Sequence, residues 1–244
     1  MRVSVVVRRI RSRVLIRGAT ALFAGAALLA AADGPGADPD PVAPAINHER
    51  ILGVMPDYQT VRDPNARYVP LTAKQKWRLV ALSTIDPFNI ASAIMGAGLS
   101  QIANDTPRYG WGGEAYASRV GAAVADLTTQ NVFSGDLAVL LHQDPRYFRL
   151  GPEHSIPKRV AYALSRLAVI RKDSGGLTFN SSSVGGMALG IAASNMYYPS
   201  ASRTGTVMAC RLETSITGGI IGNLMSEFWP DVQSHLFRRH KKTE

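Results

Sequence analysis

The residues whose types could do chemistry together are concentrated in one stretch, His142-Gln143-Asp144-Pro145-Arg146-Tyr147-Phe148-Arg149. A histidine near a carboxylate suits general acid–base work or metal binding, and two arginines suit an anionic group. Joined by Glu114 or Glu227 from another helix, the stretch would form the polar site of a hydrolase-like or small-ligand-binding protein. Closeness in sequence does not make His142 and Asp144 face each other. The structural alternative has Asp144-Pro145 opening a turn, Arg146 and Arg149 pairing with carboxylates on other helices, and His142 closing a helix. This alternative is the stronger of the two.

Other routes to chemistry are weaker. Asp173-Ser174-Gly175-Gly176 matches four residues around the nucleophile of chymotrypsin-like proteases, but that constellation needs a β-barrel and preceding histidine and aspartate segments. The sequence has no G-x-S-x-G elbow, P-loop or dinucleotide-binding glycine pattern. His48, His142, His154, His235 and His240 include no H-E-x-x-H pair, so no metal and no cofactor is expected. Cys210 is the one cysteine; it excludes an internal disulfide and reads as a small buried residue on a helix. Glu114, Arg119, Asp126, Arg211, Glu213 and Glu227 fall on predicted helices, where structural ion pairing is the default.

These residues have to be positioned by helices. Thr72 with Gln75 forms a capping box, Asp86-Pro87 an N-cap followed by proline, and Asn180 or a nearby serine another cap. The helices they open run to about Ser83, to about Asn104 and to Tyr197-Tyr198-Pro199. A long helix starts near Gly113 and is expected to break at Ser134-Gly135-Asp136. Another runs from about Ser155 to Ile170, followed by a polar loop, and the last begins near Arg203 or Thr204 and should kink or restart at Pro230.

Four of these helices carry small residues every fourth position. The ladders are Ser92-Gly96-Ser100, Gly113-Ala117-Gly121-Ala125, Ser182-Gly186-Gly190-Ser194 and Thr214-Gly218-Gly222-Ser226. Such spacing stacks small side chains on one helix face and lets a second backbone approach. Gly96, Gly121, Gly186, Gly190, Gly218 and Gly222 are therefore the expected helix-packing residues. With no pair of alternating runs joined by a hairpin turn, the fold class is all-α, a compact multi-helix bundle with Gly, Ala and Ser at its helix contacts.

The N-terminal segment leads to the expectation that the chain is exported. Residues 1–32 combine six arginines, no acid and the 14-residue apolar run Ala19–Ala32, the layout of a signal peptide or N-terminal anchor. Residues 33–48 form a Pro-rich disordered spacer, 49–71 an irregular arm, and 72–240 the helical domain. The formal charge of +9 resides in the two basic ends and leaves the body balanced, which argues against nucleic acid as a partner. Pro87–Ala103 is the best candidate for a membrane span, yet it has 17 residues where ~20 are needed. Aromatic loops and the basic tail would suit an interfacial position.

Three segments, Arg50-Ile-Leu-Gly-Val-Met-Pro56, His142-Gln-Asp-Pro-Arg-Tyr-Phe148 and Glu227-Phe-Trp-Pro-Asp231, together resemble an uncharacterised family of exported bacterial envelope proteins. The resemblance implies a bacterial-envelope setting and lends no activity, cofactor or catalytic residue. The expected function is thus that of an exported protein of the periplasm or cell envelope, structural or membrane-associated. Its expected partner is a membrane surface or another envelope protein.

Overall fold

In the computed structural model, residues 50–51, 53–103 and 108–240 are described, with 235–240 described by their backbone alone. The expected signal segment and spacer, 1–48, lie outside them. Helices dominate: α1 (Ala73–Ile85), α2 (Pro87–Ala103), α3 (Gly113–Leu140), α4 (Ile156–Ser165), α5 (Ser181–Ser194) and α6 (Gly205–His240). The all-α expectation needs a correction, because seven short strands are also present among the described residues. β1 (Arg50–Ile51) pairs antiparallel with β2 (Met55–Pro56), and β3 (Thr60–Val61) pairs parallel with β5 (Tyr147–Phe148). β4 (Gln143–Asp144), β6 (Val169–Lys172) and β7 (Leu177–Phe179) form a three-stranded sheet in the order β4-β6-β7.

Local signals set the helix starts. Thr72 and Gln75 form the reciprocal capping box at α1, and Asn180 accepts from the Ser183 amide at α5. At α2 the Asp86 carboxylate accepts from the Phe88 amide at 2.9 Å, which satisfies one of the helix's orphan donors. Two expected interruptions do not occur. α3 runs through Ser134-Gly135-Asp136, where Gly135 lies against Val80 of α1; a Cβ there would stand 2.3 Å from Val80 Cγ2. α6 runs through Pro230. Proline crowds the turn before it, and the Glu227 carbonyl in that turn is taken up by the Arg149 and Arg159 side chains at 2.7 and 2.8 Å. The predicted helix from Ser155 stops at Ser165, and its last residues become β6, paired across the Lys172–Gly176 turn with β7.

The most extensive helix contact joins α3 to α5. A Cβ on Gly186 would fall 2.7 Å from the Ser134 Cα, and one on Gly190 would fall 3.2 Å from the Gln130 Cα. The backbones meet closely because nothing stands between them. The other four expected packing glycines are corrected: at Gly96, Gly121, Gly218 and Gly222 a Cβ would meet nothing within 4 Å. In α3 the seam uses Gln130 and Ser134, one residue out of phase with the predicted Gly113-Ala117-Gly121-Ala125 ladder, which explains why Gly121 is exposed. Cys210, expected to be buried, is also exposed.

α2 has the reverse of the usual polarity for a helix on a protein surface. Its sequence PFNIASAIMGAGLSQIA carries no charge, and Ala97 is its one buried residue. Ile94, Met95, Leu99 and Ile102 are 40%, 69%, 67% and 75% exposed. The polar side chains Ser100 and Gln101 instead turn inward, where Arg119 of α3 donates to both at 2.8 and 2.7 Å. No single helix among the described residues is long and apolar enough to cross a membrane. α1 and α2 together, bent by 47°, have the length and composition to do so.

Candidate functional site

The candidate polar residues do not converge. His142 ends α3 in the left-handed region, with φ of 52°, and its side chain is 82% exposed. Its Nδ1 stands 3.7 Å from Asp173, outside hydrogen-bond range. Asp173 is engaged by the buried Lys76 at 2.7 Å. Glu114 lies exposed in the first turn of α3. A histidine in solvent with no carboxylate in reach lacks the geometry of a general base.

Asp144 and Arg146 do meet, as a buried pair. Arg146 donates from Nη2 and Nε to the two carboxylate oxygens at 2.6 and 3.0 Å, and from Nη2 to the Val69 carbonyl at 2.6 Å. The turn that Asp144-Pro145 makes is closed by the Arg146 amide, which donates back to Asp144 at 3.0 Å. Above the pair, Arg146 and Arg171 both lie on the rings of Tyr68 and Phe148. The guanidinium is held from every side, which makes the pair a fastener between the arm and β4–β5.

Glu227 is the centre of a second, larger cluster. It is fully buried, and its carboxylate accepts from Tyr147 Oη and the Leu150 amide at 3.0 Å, the Gly151 amide at 3.2 Å and Arg159 Nε at 2.8 Å. Four donors fill the four lone-pair sites of a carboxylate. Arg149 and Arg159 then both reach Asp231 at 2.5 and 2.6 Å. Burial alone would raise the Asp231 carboxyl, but the hydrogen bonds from these two arginines outweigh it and hold the group below the usual range. Burial and the Glu227 charge push the Tyr147 phenol well up, so it stays a proton donor. A saturated carboxylate has no lone pair left for a substrate, so this cluster joins α6 to β5 and α4.

The arm is fixed in the same way. Arg50 and Tyr58 both donate to Asp86 at 2.6 Å, at the elbow between α1 and α2. Each of the segments Arg50–Pro56, His142–Phe148 and Glu227–Asp231 therefore supplies members of a buried or half-buried ionic fastener. A fourth polar centre was visible as residues but not as a cluster. Asp126 of α3 accepts from the phenols of Tyr197 and Tyr198, while Arg211 lies over the Tyr198 ring and donates to Ser194. Burial raises the Asp126 carboxyl, and the two phenols only partly offset it.

The sequence marks neither Arg159 nor Lys76, and Asp231 appears in it only as the end of the Glu227–Asp231 segment. Their residue types are ordinary for exposed helix positions, and the signal that marks them is a partner far along the chain. Among the described residues, no group of three or more His, Cys, Asp or Glu side chains could hold a metal ion. No protein-family model, curated protein or solved structure matches the chain.

Proposed function

We propose that this chain is an exported, non-enzymatic protein of the bacterial envelope that lies on a membrane surface through the outer face of α2. The observation that carries the reading is the inverted polarity of the second half of that helix, with Ser100 and Gln101 on Arg119 and Ile94, Met95, Leu99 and Ile102 outside. Water disfavours such an arrangement and a hydrocarbon boundary favours it. Fully withdrawing one Ile, Leu or Met from water contributes ~1.5–3 kcal/mol, so Ile94, Met95, Leu99 and Ile102 together supply several kcal/mol. Trp111, 65% exposed just before α3, adds an indole suited to the headgroup layer. The signal-like N-terminal segment and the basic tail support the same location.

The test is liposome flotation of the chain lacking residues 1–32. It should float with vesicles at low salt, and Met95→Glu combined with Leu99→Glu should leave it in the soluble fraction with its circular dichroism unchanged. If the parent protein ignores vesicles at low salt, the membrane reading is wrong.

The geometry disfavours a hydrolase-like use of His142–Arg149, because His142 lies in solvent while Asp144, Arg146, Arg149 and Glu227 are consumed by one another and by backbone groups.

A further inference from the structure

The open side of the α6 ladder faces a cavity. It measures about 860 Å³ and lies between the arm, the start of α2, β5, β6 and α6. That size falls among pockets that hold small organic ligands, ~300–1,000 Å³. α6 contributes Ser215, Gly218, Gly222 and Ser226 to the wall, and these small residues leave a trough along the helix. At 1.5 Å per residue this wall runs about 16 Å, bounded at one end by the Ser215–Gln130 hydrogen bond and at the other by Thr60–Ser226, with Gly218 and Gly222 open between them, an elongated shape that suits an unbranched chain better than a compact ring system. Met55, Phe88, Leu127, Val169, Ile221 and Met225 make much of the remaining wall apolar.

Among the described residues, the wall holds one carboxylate, Asp57, which is paired with Arg62 at 2.8 Å, and two cations that no carboxylate neutralises. Arg166 and Arg171 both line the cavity, and among the described residues neither has a carboxylate within ion-pair distance. Arg171 rests on aromatic rings and donates to the Gly175 carbonyl at 3.5 Å; Arg166 lies over Tyr162 at 4.4 Å and donates from Nε to Ser165 at 3.3 Å, with its Nη2 buried and without a hydrogen-bond partner. Arg146, Arg149 and Arg159, in contrast, each clamp a carboxylate. A guanidinium left without a counter-charge beside an apolar trough is complementary to an anion attached to a hydrocarbon chain.

We propose that this cavity binds a single-chain amphiphile with an anionic head, its tail along the Gly218–Gly222 trough and its head at Arg166 and Arg171. The site stands independently of membrane adsorption through α2.

The experiment uses the full chain, stripped of lipid and titrated with the fluorescent fatty acid cis-parinarate. Binding should saturate at one equivalent, and palmitate or lysophosphatidate should displace the probe at least tenfold more effectively than hexadecanol. Which of the two anions displaces better identifies a carboxylate or a phosphate head. Gly218→Leu with Gly222→Leu should weaken binding at least tenfold while the melting temperature holds, and Arg166→Gln with Arg171→Gln should erase the preference for acid over alcohol. If the leucine pair does not fold, the arginine pair still tests the head site. Met95→Glu with Leu99→Glu should leave parinarate binding intact, which separates this site from vesicle adsorption. Unchanged affinity in a folded leucine pair, equal displacement by hexadecanol, or an acid preference that survives loss of both arginines would overturn the proposal.

Discussion

α5 and α6 carry the same four-residue spacing of small side chains and use it in opposite ways. In α5 the ladder is filled: Ser182, Gly186, Gly190 and Ser194 are all buried, and α3 presses its backbone against the two glycines. In α6 the two glycine rungs, Gly218 and Gly222, are open, and the helix is held by charged groups at Glu227 and Asp231. Glycine spacing thus states where a close approach is permitted. Whether another helix takes that permission depends on what the rest of the chain brings to the face.

The contrast can be broken most forcefully at the ionic end. Glu227→Ala would leave Arg159 buried without its main partner, and losing one member of a buried ion pair costs about 3–5 kcal/mol. Urea unfolding should show a loss of that size; one below about 1 kcal/mol would mean that α6 is held some other way. Next comes the filled ladder. Gly186→Ala places a methyl group against the Ser134 backbone, and overpacking of this kind destabilises by about 1–3 kcal/mol, measured in the same titration.

The open ladder should respond with the opposite sign. Gly218→Ala and Gly222→Ala add a methyl group to empty space and raise helix propensity, so each should stabilise by about 0.5–1 kcal/mol. A loss at either position would show that its face is occupied. The smallest effect concerns acid. Asp231 is held below the carboxylate value of ~3.9 of an unfolded chain, so its contribution is complete above that pH and is lost as pH falls through the lower folded value. Asp231→Asn should therefore make stability less sensitive to pH below about 4, read as a shallower fall of melting temperature with acid.

Much of the helical plan is legible in the residues because helix starts are local events. Thr72 with Gln75, Asp86 with Pro87, and Asn180 each act within three residues of the helix they open. The strands were illegible for the converse reason: β3 is two residues long and exists because β5, more than 80 positions later, lies beside it. The phase of the α3 seam failed similarly. Gly121 advertises room, yet α5 docks on the neighbouring stripe, where Ser134 and Gln130 are small or flexible enough to let Gly186 and Gly190 approach. For the candidate site, the expected helix carboxylate is found for Arg149, in Asp231, whereas Arg146 pairs with Asp144 of its own turn; that Arg159 is the partner of Glu227 emerges only when the chain is folded.

The arm has a consequence for the order of assembly. Thr60 hydrogen-bonds Ser226 at 2.9 Å across 166 positions, and Arg62 reaches Gln233 at 3.0 Å across 171. A chain made from its N-terminus produces the arm well before its α6 partners. Contacts of such long sequence separation form slowly, because a large loop must close before they are rewarded. The arm is made before the partners that seat it, so the apolar residues Ile51, Met55 and Val61 need protection in the interval.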